Sequence, residues 1–156
     1  MLNCVLLVIG KTNETYVQQG LDKYLKLLSK YCNFSIDALP DIKNGGKLPA
    51  DKLKAEEAAV ILARLKPQDI VILLDENGKQ YDSESFADMI RQKTAAISGR
   101  MVFVTGGAFG FDPTLKSRYE SVTLSKMTFN HQMVRVIFAE QLFRAFTIIH
   151  GTGYHH

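Results

Sequence analysis

Two rhythms of apolar and polar positions alternate along this chain. Residues 2–10, LNCVLLVIG, form an unbroken apolar run, the pattern of a strand covered on both faces in a parallel sheet. Residues 12–30 change rhythm: Val17, Leu21, Tyr24, Leu25 and Leu28 recur at helical spacing and predict an amphipathic helix. FSIDAL, residues 34–39, predicts a second strand. Pro40, Gly45, Gly46 and Pro49 mark the next ten residues as a loop. A helix that Asp51 caps or opens is expected to run to about Leu65, before Pro67. Residues 69–74, DIVILL, predict a third, buried strand, followed by an Asn77-Gly78 turn signal. A helix over 83–97, opened by Ser83 or Ser85, precedes a fourth strand, RMVFVTGG, at 100–107. A short helix with Pro113 in its first turn, a fifth strand at 121–124 and a last helix over 131–150 follow.

Strands that alternate with helices predict an α/β fold, with a mostly parallel sheet flanked by helices. There is no internal repeat, and 156 residues suit a single domain spanning 1–156. The last helix has no clean polar stripe, because Met133, Val134, Ile137, Phe138, Leu142, Phe143, Phe146 and Ile149 surround its axis. A helix apolar on all sides needs cover on two. Its own sheet supplies one, and a second copy of the chain is expected to supply the other, so the reading favours a homodimer.

Charge changes this picture at one end only. The net charge is +3, yet residues 1–112 balance at 14 basic and 14 acidic side chains. Residues 113–156 hold Lys116, Arg118, Lys126, Arg135 and Arg144 against Glu120 and Glu140, with all four histidines. That bias suggests an anionic partner for the C-terminal part. Cys4 and Cys32 lack metal-ligand spacing and form no disulfide framework, which predicts a reducing, cytoplasmic setting. The first residues carry no basic n-region and read as a strand, not a signal peptide. No run reaches the roughly 18 apolar residues of a membrane span.

Ligands of parallel α/β sheets collect beyond the carboxyl ends of the strands. Three such ends carry unusual material: LLDENG at 73–78, VTGGAFG at 104–110 and LSKMTF at 124–129. Gly106, Gly107 and Gly110 permit a close backbone approach, but they do not spell a dinucleotide fingerprint or a P-loop. No metal-ligand set appears. Ser125 lacks a nucleophile-elbow context, and Glu140 and Arg144 have the spacing of an ordinary helical ion pair.

In combination, VIGK, VILLDENGK, FVTGGAFG, LSKMTFNHQMVRVIFAEQLFRAF and the tail GYHH resemble the ribosomal RNA large-subunit pseudouridine N3-methyltransferase family, of the SPOUT class of knotted methyltransferases. The resemblance covers nearly the whole chain in the same order. The family's tail ends on a basic residue, where this chain has His156. The resemblance implies a C-terminal deep trefoil knot and S-adenosylmethionine as methyl donor, without a metal. It implies donor contacts at Leu74, Gly106, Leu124, Ser125, Lys126, Met127, Thr128 and Phe129. It further implies that the acceptor is N3 of a pseudouridine in a 23S rRNA hairpin loop, methylated on the assembled ribosome, in a pocket shared across a homodimer.

Candidates for the acceptor side are His131, Arg135, Tyr154 and His155. An imidazole suits proton acceptance near neutrality. Arg135 could stabilise an anionic base or hold a phosphate, and Tyr154 could stack on the base. His131 could equally be a helix-start residue capped by Thr128 or Asn130. Two other functions remain open on the residues: a SPOUT methyltransferase acting on tRNA, and a non-catalytic α/β nucleotide-binding module.

Overall fold

The computed structural model describes residues 1–156. Five strands, β1 (Leu2–Ile9), β2 (Cys32–Leu39), β3 (Ile70–Gln80), β4 (Met101–Thr105) and β5 (Glu120–Thr123), form one sheet in the order β2-β1-β4-β3-β5, and every pairing is parallel. Helices α1 (Thr15–Leu28), α2 (Ala50–Arg64), α3 (Ser83–Thr94), α4 (Pro113–Arg118) and α5 (Met133–Ile149) connect and cover it. The expected α/β fold with a parallel sheet is what the chain adopts.

The apolar runs are buried on both sides because successive side chains point to opposite faces. Cys4, Leu6, Val8, Ile72, Met101 and Phe103 pack with residues of α3 and α5 in one core. Val5, Leu7, Val71, Leu73, Val102 and Val104 pack with Ala58 and Ile61 of α2 and Leu115 of α4 in the other. Each fully buried side chain of this kind contributes about 1.5–3 kcal/mol relative to exposure.

Helix α5 is covered within one chain. Phe138 is fully buried, 4.7 Å from Phe103 between ring centroids, and Phe146 stacks on Tyr31 at 5.8 Å. The flanking α1 and α3 and the sheet therefore take three of its sides. Met133, Val134, Val136 and Ile149 near its two ends stay half-exposed, as does a narrow stripe of Ile137, Glu140, Gln141, Arg144 and Ile148. The need for a second copy expected from the apolar helix thus reduces to that stripe.

Local differences have local causes. The helix expected to open on Ser83 or Ser85 is capped by Asp82, whose carboxylate accepts the Ser85 N–H at 2.8 Å while the Ser85 hydroxyl accepts the Asp82 N–H at 3.1 Å. Hydrogen bonds from Ser85 hold the Asp82 carboxyl below its ordinary range. Asp51 is not a cap: α2 starts after Pro49 with no side-chain cap. At Asn77-Gly78 the chain makes no hairpin. β3 continues with a register shift, so that Leu74 and Lys79 both pair with Val122. Gly78 is required there, since a Cβ would lie 2.6 Å from the Val122 nitrogen.

The order of the strands also fixes where a ligand can sit. From β1 the chain moves outward to β2, and from β4 it crosses past β3 to β5. Adjacent β1 and β4 therefore send their following segments in opposite directions, which opens a crevice beyond their carboxyl ends. No helix is long and apolar enough to cross a membrane.

Candidate functional site

A cleft of about 1110 Å³ occupies that crevice. Ile9 of β1, Leu74 and Asp75 of β3 and Thr105 of β4 form its floor. The glycine loop 106–110 forms one wall, the segment 123–131 a second, and Asp41, Leu53, Lys54 and Glu57 a third. The three strand ends singled out in the sequence thus meet in one place.

The segment after β5 is ordered by its own side chains. The Thr123 hydroxyl donates to the Ser125 carbonyl at 2.7 Å and accepts the Ser125 N–H at 3.2 Å. Ser125 Oγ accepts the Met127 N–H at 3.0 Å, and Thr128 donates to Glu76 at 2.9 Å. Asn130 Oδ1 then accepts the Gln132 N–H at 2.8 Å, which starts α5. Serine, threonine and asparagine favour such local bonds over regular structure. Their presence frees the apolar residues to face the cleft: Leu124, Met127 and Phe129 line it, and Met127 is 78% exposed.

Of the donor contacts implied by resemblance, Leu74, Gly106, Leu124, Ser125, Met127, Thr128 and Phe129 line the cleft. Lys126 points elsewhere and is exposed. Gly106 is a glycine for a reason internal to its loop, since a Cβ would lie 3.1 Å from the Gly110 carbonyl carbon. Lys116 pairs with Asp75 at 3.2 Å and braces the base of the same wall.

The acceptor-side candidates separate into two groups. His131 lines the cleft and is exposed. Arg135 lies beneath, 1% exposed, and donates to the Ile9 carbonyl at 3.1 Å, the His131 carbonyl at 3.1 Å and the Thr12 hydroxyl at 2.8 Å. Burial pushes its guanidinium pKa down, and Asp41 opposes that shift. In this position Arg135 fastens the start of α5 to the end of β1. Tyr154 and His155 lie away from their own cleft. Tyr154 packs edge-on against Phe143 at 4.8 Å, under the Arg144 guanidinium at 4.9 Å, and His155 Nδ1 is 3.1 Å from Arg144 Nη1. Arg144 also pairs with Glu140 at 3.1 Å, and Glu140 Oε2 is buried with no partner. Met133 and Arg144 are eleven residues apart on α5, roughly 16 Å along its axis.

Two residues that build or line the site, Gln132 and Glu57, gave weaker signals in the sequence. Gln132 is buried; its Oε1 accepts the Asn13 N–H at 2.8 Å and the Glu14 N–H at 3.3 Å, and its Nε2 donates to the Lys11 carbonyl at 3.0 Å. It therefore supplies the partners that α1 lacks at its own start, where Glu14 makes no side-chain cap. Glu57 is 7% exposed, lines the cleft, and its side chain makes no hydrogen bond or ion pair. Its signal was present: Leu53, Glu57 and Ile61 recur at i, i+4 and i+8, so a carboxylate sits on the buried stripe of α2.

The walls suit a methyl donor with an adenosine and an amino-acid end. Apolar side chains suit the faces of a base, the backbone of 124–129 suits its edge, and the orphaned Glu57 carboxylate suits a cation. No group of three or more His, Cys, Asp or Glu is placed to hold a metal ion.

Residues 2–155 match the family described as "Predicted SPOUT methyltransferase". Among curated proteins, a Porphyromonas gingivalis protein named Ribosomal RNA large subunit methyltransferase H is 42% identical over 156 residues, covering 99% of both chains. Proteins of the same name from Flavobacterium johnsoniae and Bacteroides thetaiotaomicron are 44% and 39% identical, again over 99% of both chains.

Proposed function

Because the chain belongs to the SPOUT methyltransferase family, we propose that its cleft binds S-adenosylmethionine and methylates large-subunit ribosomal RNA, at N3 of a pseudouridine in a 23S hairpin loop. The observation that carries this reading is the convergence of the LLDENG, VTGGAFG and LSKMTF ends on one cleft with apolar walls and an orphaned carboxylate. Relatives of nearly identical length are named as ribosomal RNA large subunit methyltransferases, which supports the substrate class. The reading takes residues 1–156 as one cytoplasmic domain. It includes a deep trefoil knot, consistent with segment 124–132 being tied to Glu76 on one side and Lys11 and Asn13 on the other.

When bound, S-adenosylmethionine supplies an electrophilic methyl on a sulfonium. Leu74, Gly106, Leu124, Ser125, Met127, Thr128 and Phe129 would hold it, while Lys126 stands outside the lining. The chain's own work is then positioning and proton management. The target N3–H is a weak acid, so a nearby group must take its proton or stabilise the anion. A looped base can be splayed out and stacked at modest cost. A cleft of about 1110 Å³ exceeds the usual range for one small ligand, leaving room for a base beside the donor.

His131 alone among the acceptor candidates faces the cleft of its own chain. Tyr154 and His155, clustered with Arg144 and Glu140, would serve a second copy's cleft across a homodimer. The half-exposed stripe of α5 beside that cluster is the matching contact surface. Mass mapping of 23S rRNA after incubating ribosomes from a deletion strain with the purified protein tests the activity. A mass gain of one methyl on a loop pseudouridine is expected, and methylation confined to tRNA would overturn the assignment.

A further inference from the structure

The third wall of the cleft holds chemistry that neither the sequence motifs nor the proposed transfer step uses. Glu57 projects from the buried stripe of α2 toward the glycine loop. A Cβ at Gly107 would lie 2.6 Å from Glu57 Oε1, so the loop's backbone passes directly over the carboxylate. Asp41 stands beside it, its oxygens 3.1 and 3.2 Å from where a Cβ of Gly10 would be. Both residues line the cleft, and neither takes part in an ion pair or a side-chain hydrogen bond.

Glu57 is largely buried, and its unpartnered oxygens open onto the cleft rather than into the core; a carboxylate so placed is costly unless something compensates it. Arg135 interacts electrostatically with Asp41 from below. Glu57 has no such neighbour, and burial followed by the charge of Asp41 pushes its carboxyl above the usual range. The missing element is a cation entering from the cleft. Two carboxylates are too few for a hard metal ion that takes six or more oxygens, whereas an ammonium offers three N–H donors to acceptors on two sides. Lys54, one turn before Glu57 on α2 and also lining the cleft without an ion pair, provides the matching charge for an adjacent carboxylate. Together these groups have the complement of an α-amino acid zwitterion.

We propose that Glu57, with Asp41 beside it, is the subsite that binds the α-ammonium of the donor's methionyl end, fixing that end under the Gly106–Gly107 backbone. The inference rests on the reading of the cleft as a donor site. Binding of the α-ammonium restores a counter-charge to Glu57, and the same contact holds the methionyl chain in one orientation.

Calorimetry of the full chain with two probes tests it. S-adenosylhomocysteine carries the amino-acid end, and 5′-methylthioadenosine lacks it. Glu57→Gln keeps the side-chain shape and should lower affinity for S-adenosylhomocysteine by about 10-fold or more, the range for a lost charged hydrogen bond, while 5′-methylthioadenosine binds as before. Asp41→Asn should act in the same direction and by less, and Glu57→Asp should recover part of the loss. Equal affinity of wild type and Glu57→Gln for S-adenosylhomocysteine would overturn the subsite, and so would an equal loss for both probes. Failure of the wild-type protein to bind either probe would instead overturn the donor-site reading beneath it.

Discussion

Glu57 gives the clearest prediction at the scale of one residue. Its folded pKa lies above its ordinary value of 4.5. Below that value the carboxyl is neutral in both states and costs nothing. As pH rises past it, the unfolded chain releases its proton first, so the folded state binds more protons and loses stability until the raised folded pKa is passed. Glu57→Gln removes this penalty. The variant should melt above wild type at pH 7 and close to it near pH 4, as read by calorimetry at both values. Equal melting temperatures at pH 7 would show that the carboxylate is already compensated. Gly107 is the partner of this residue. Gly107→Ala should be met by a shift of the flexible Glu57 carboxylate end, at a cost of about 1 kcal/mol or less, below the usual overpacking range. Most of that cost should vanish in a Glu57→Ala background, which denaturant titration of the double-mutant cycle would measure.

Among the elements, α5 depends on a side chain rather than on its own apolar surface for its starting point. Gln132→Ala would leave the Asn13 N–H and the Lys11 carbonyl without their partner, at about 1–3 kcal/mol for each group left buried and unpaired. Thermal melting should fall accordingly, and affinity for S-adenosylhomocysteine should fall with it, because α5 and segment 124–131 move together. The elements themselves were legible because a strand covered on both faces leaves a short apolar run such as LNCVLLVIG, closed by a glycine and followed by a helical rhythm. Gln132 was not legible as a brace, since its partners lie some 120 positions away in the chain. Asn77-Gly78 misled for the opposite reason: a strong local turn signal was overruled by the pairing of both Leu74 and Lys79 with β5. The cleft's motif residues were readable because strand ends concentrate ligands. Glu57 was less legible because a single carboxylate on a helix's apolar stripe carries no loop or strand-end signature.

For the whole molecule, the separation of His131 from Tyr154 and His155 makes the proposed homodimer open to test. Phe138 and Phe146 belong to the core of one chain, so a charge at either should unfold the protein rather than divide a dimer. Ile137 is half-exposed and lies outside the packed clusters, so Ile137→Asp should yield a folded monomer by sedimentation, with donor affinity retained and methyl transfer lost. A wild-type monomer with full activity would remove the shared site. Deleting residues 154–156 should leave donor affinity nearly unchanged, since the cleft is built entirely before them, and should lower melting modestly through the lost contacts with Phe143 and Arg144. Transfer to ribosomes should still fall by at least ~10²-fold, the lower range for losing one acid–base group.

The crossing of the chain from β4 past β3 to β5 has a consequence in time. During synthesis β1 to β4 can pair as soon as they emerge, giving a sheet with its floor in place and one wall missing. The wall at 123–131, and the Gln132 clamp that holds it to the first loop, arrive only when the last helix is being made. A nascent chain released before that point has most of the core and no place for a donor. Capacity to bind is therefore acquired in a single late step, and a radiolabelled donor analogue should be captured only by stalled chains whose α5 has cleared the exit tunnel.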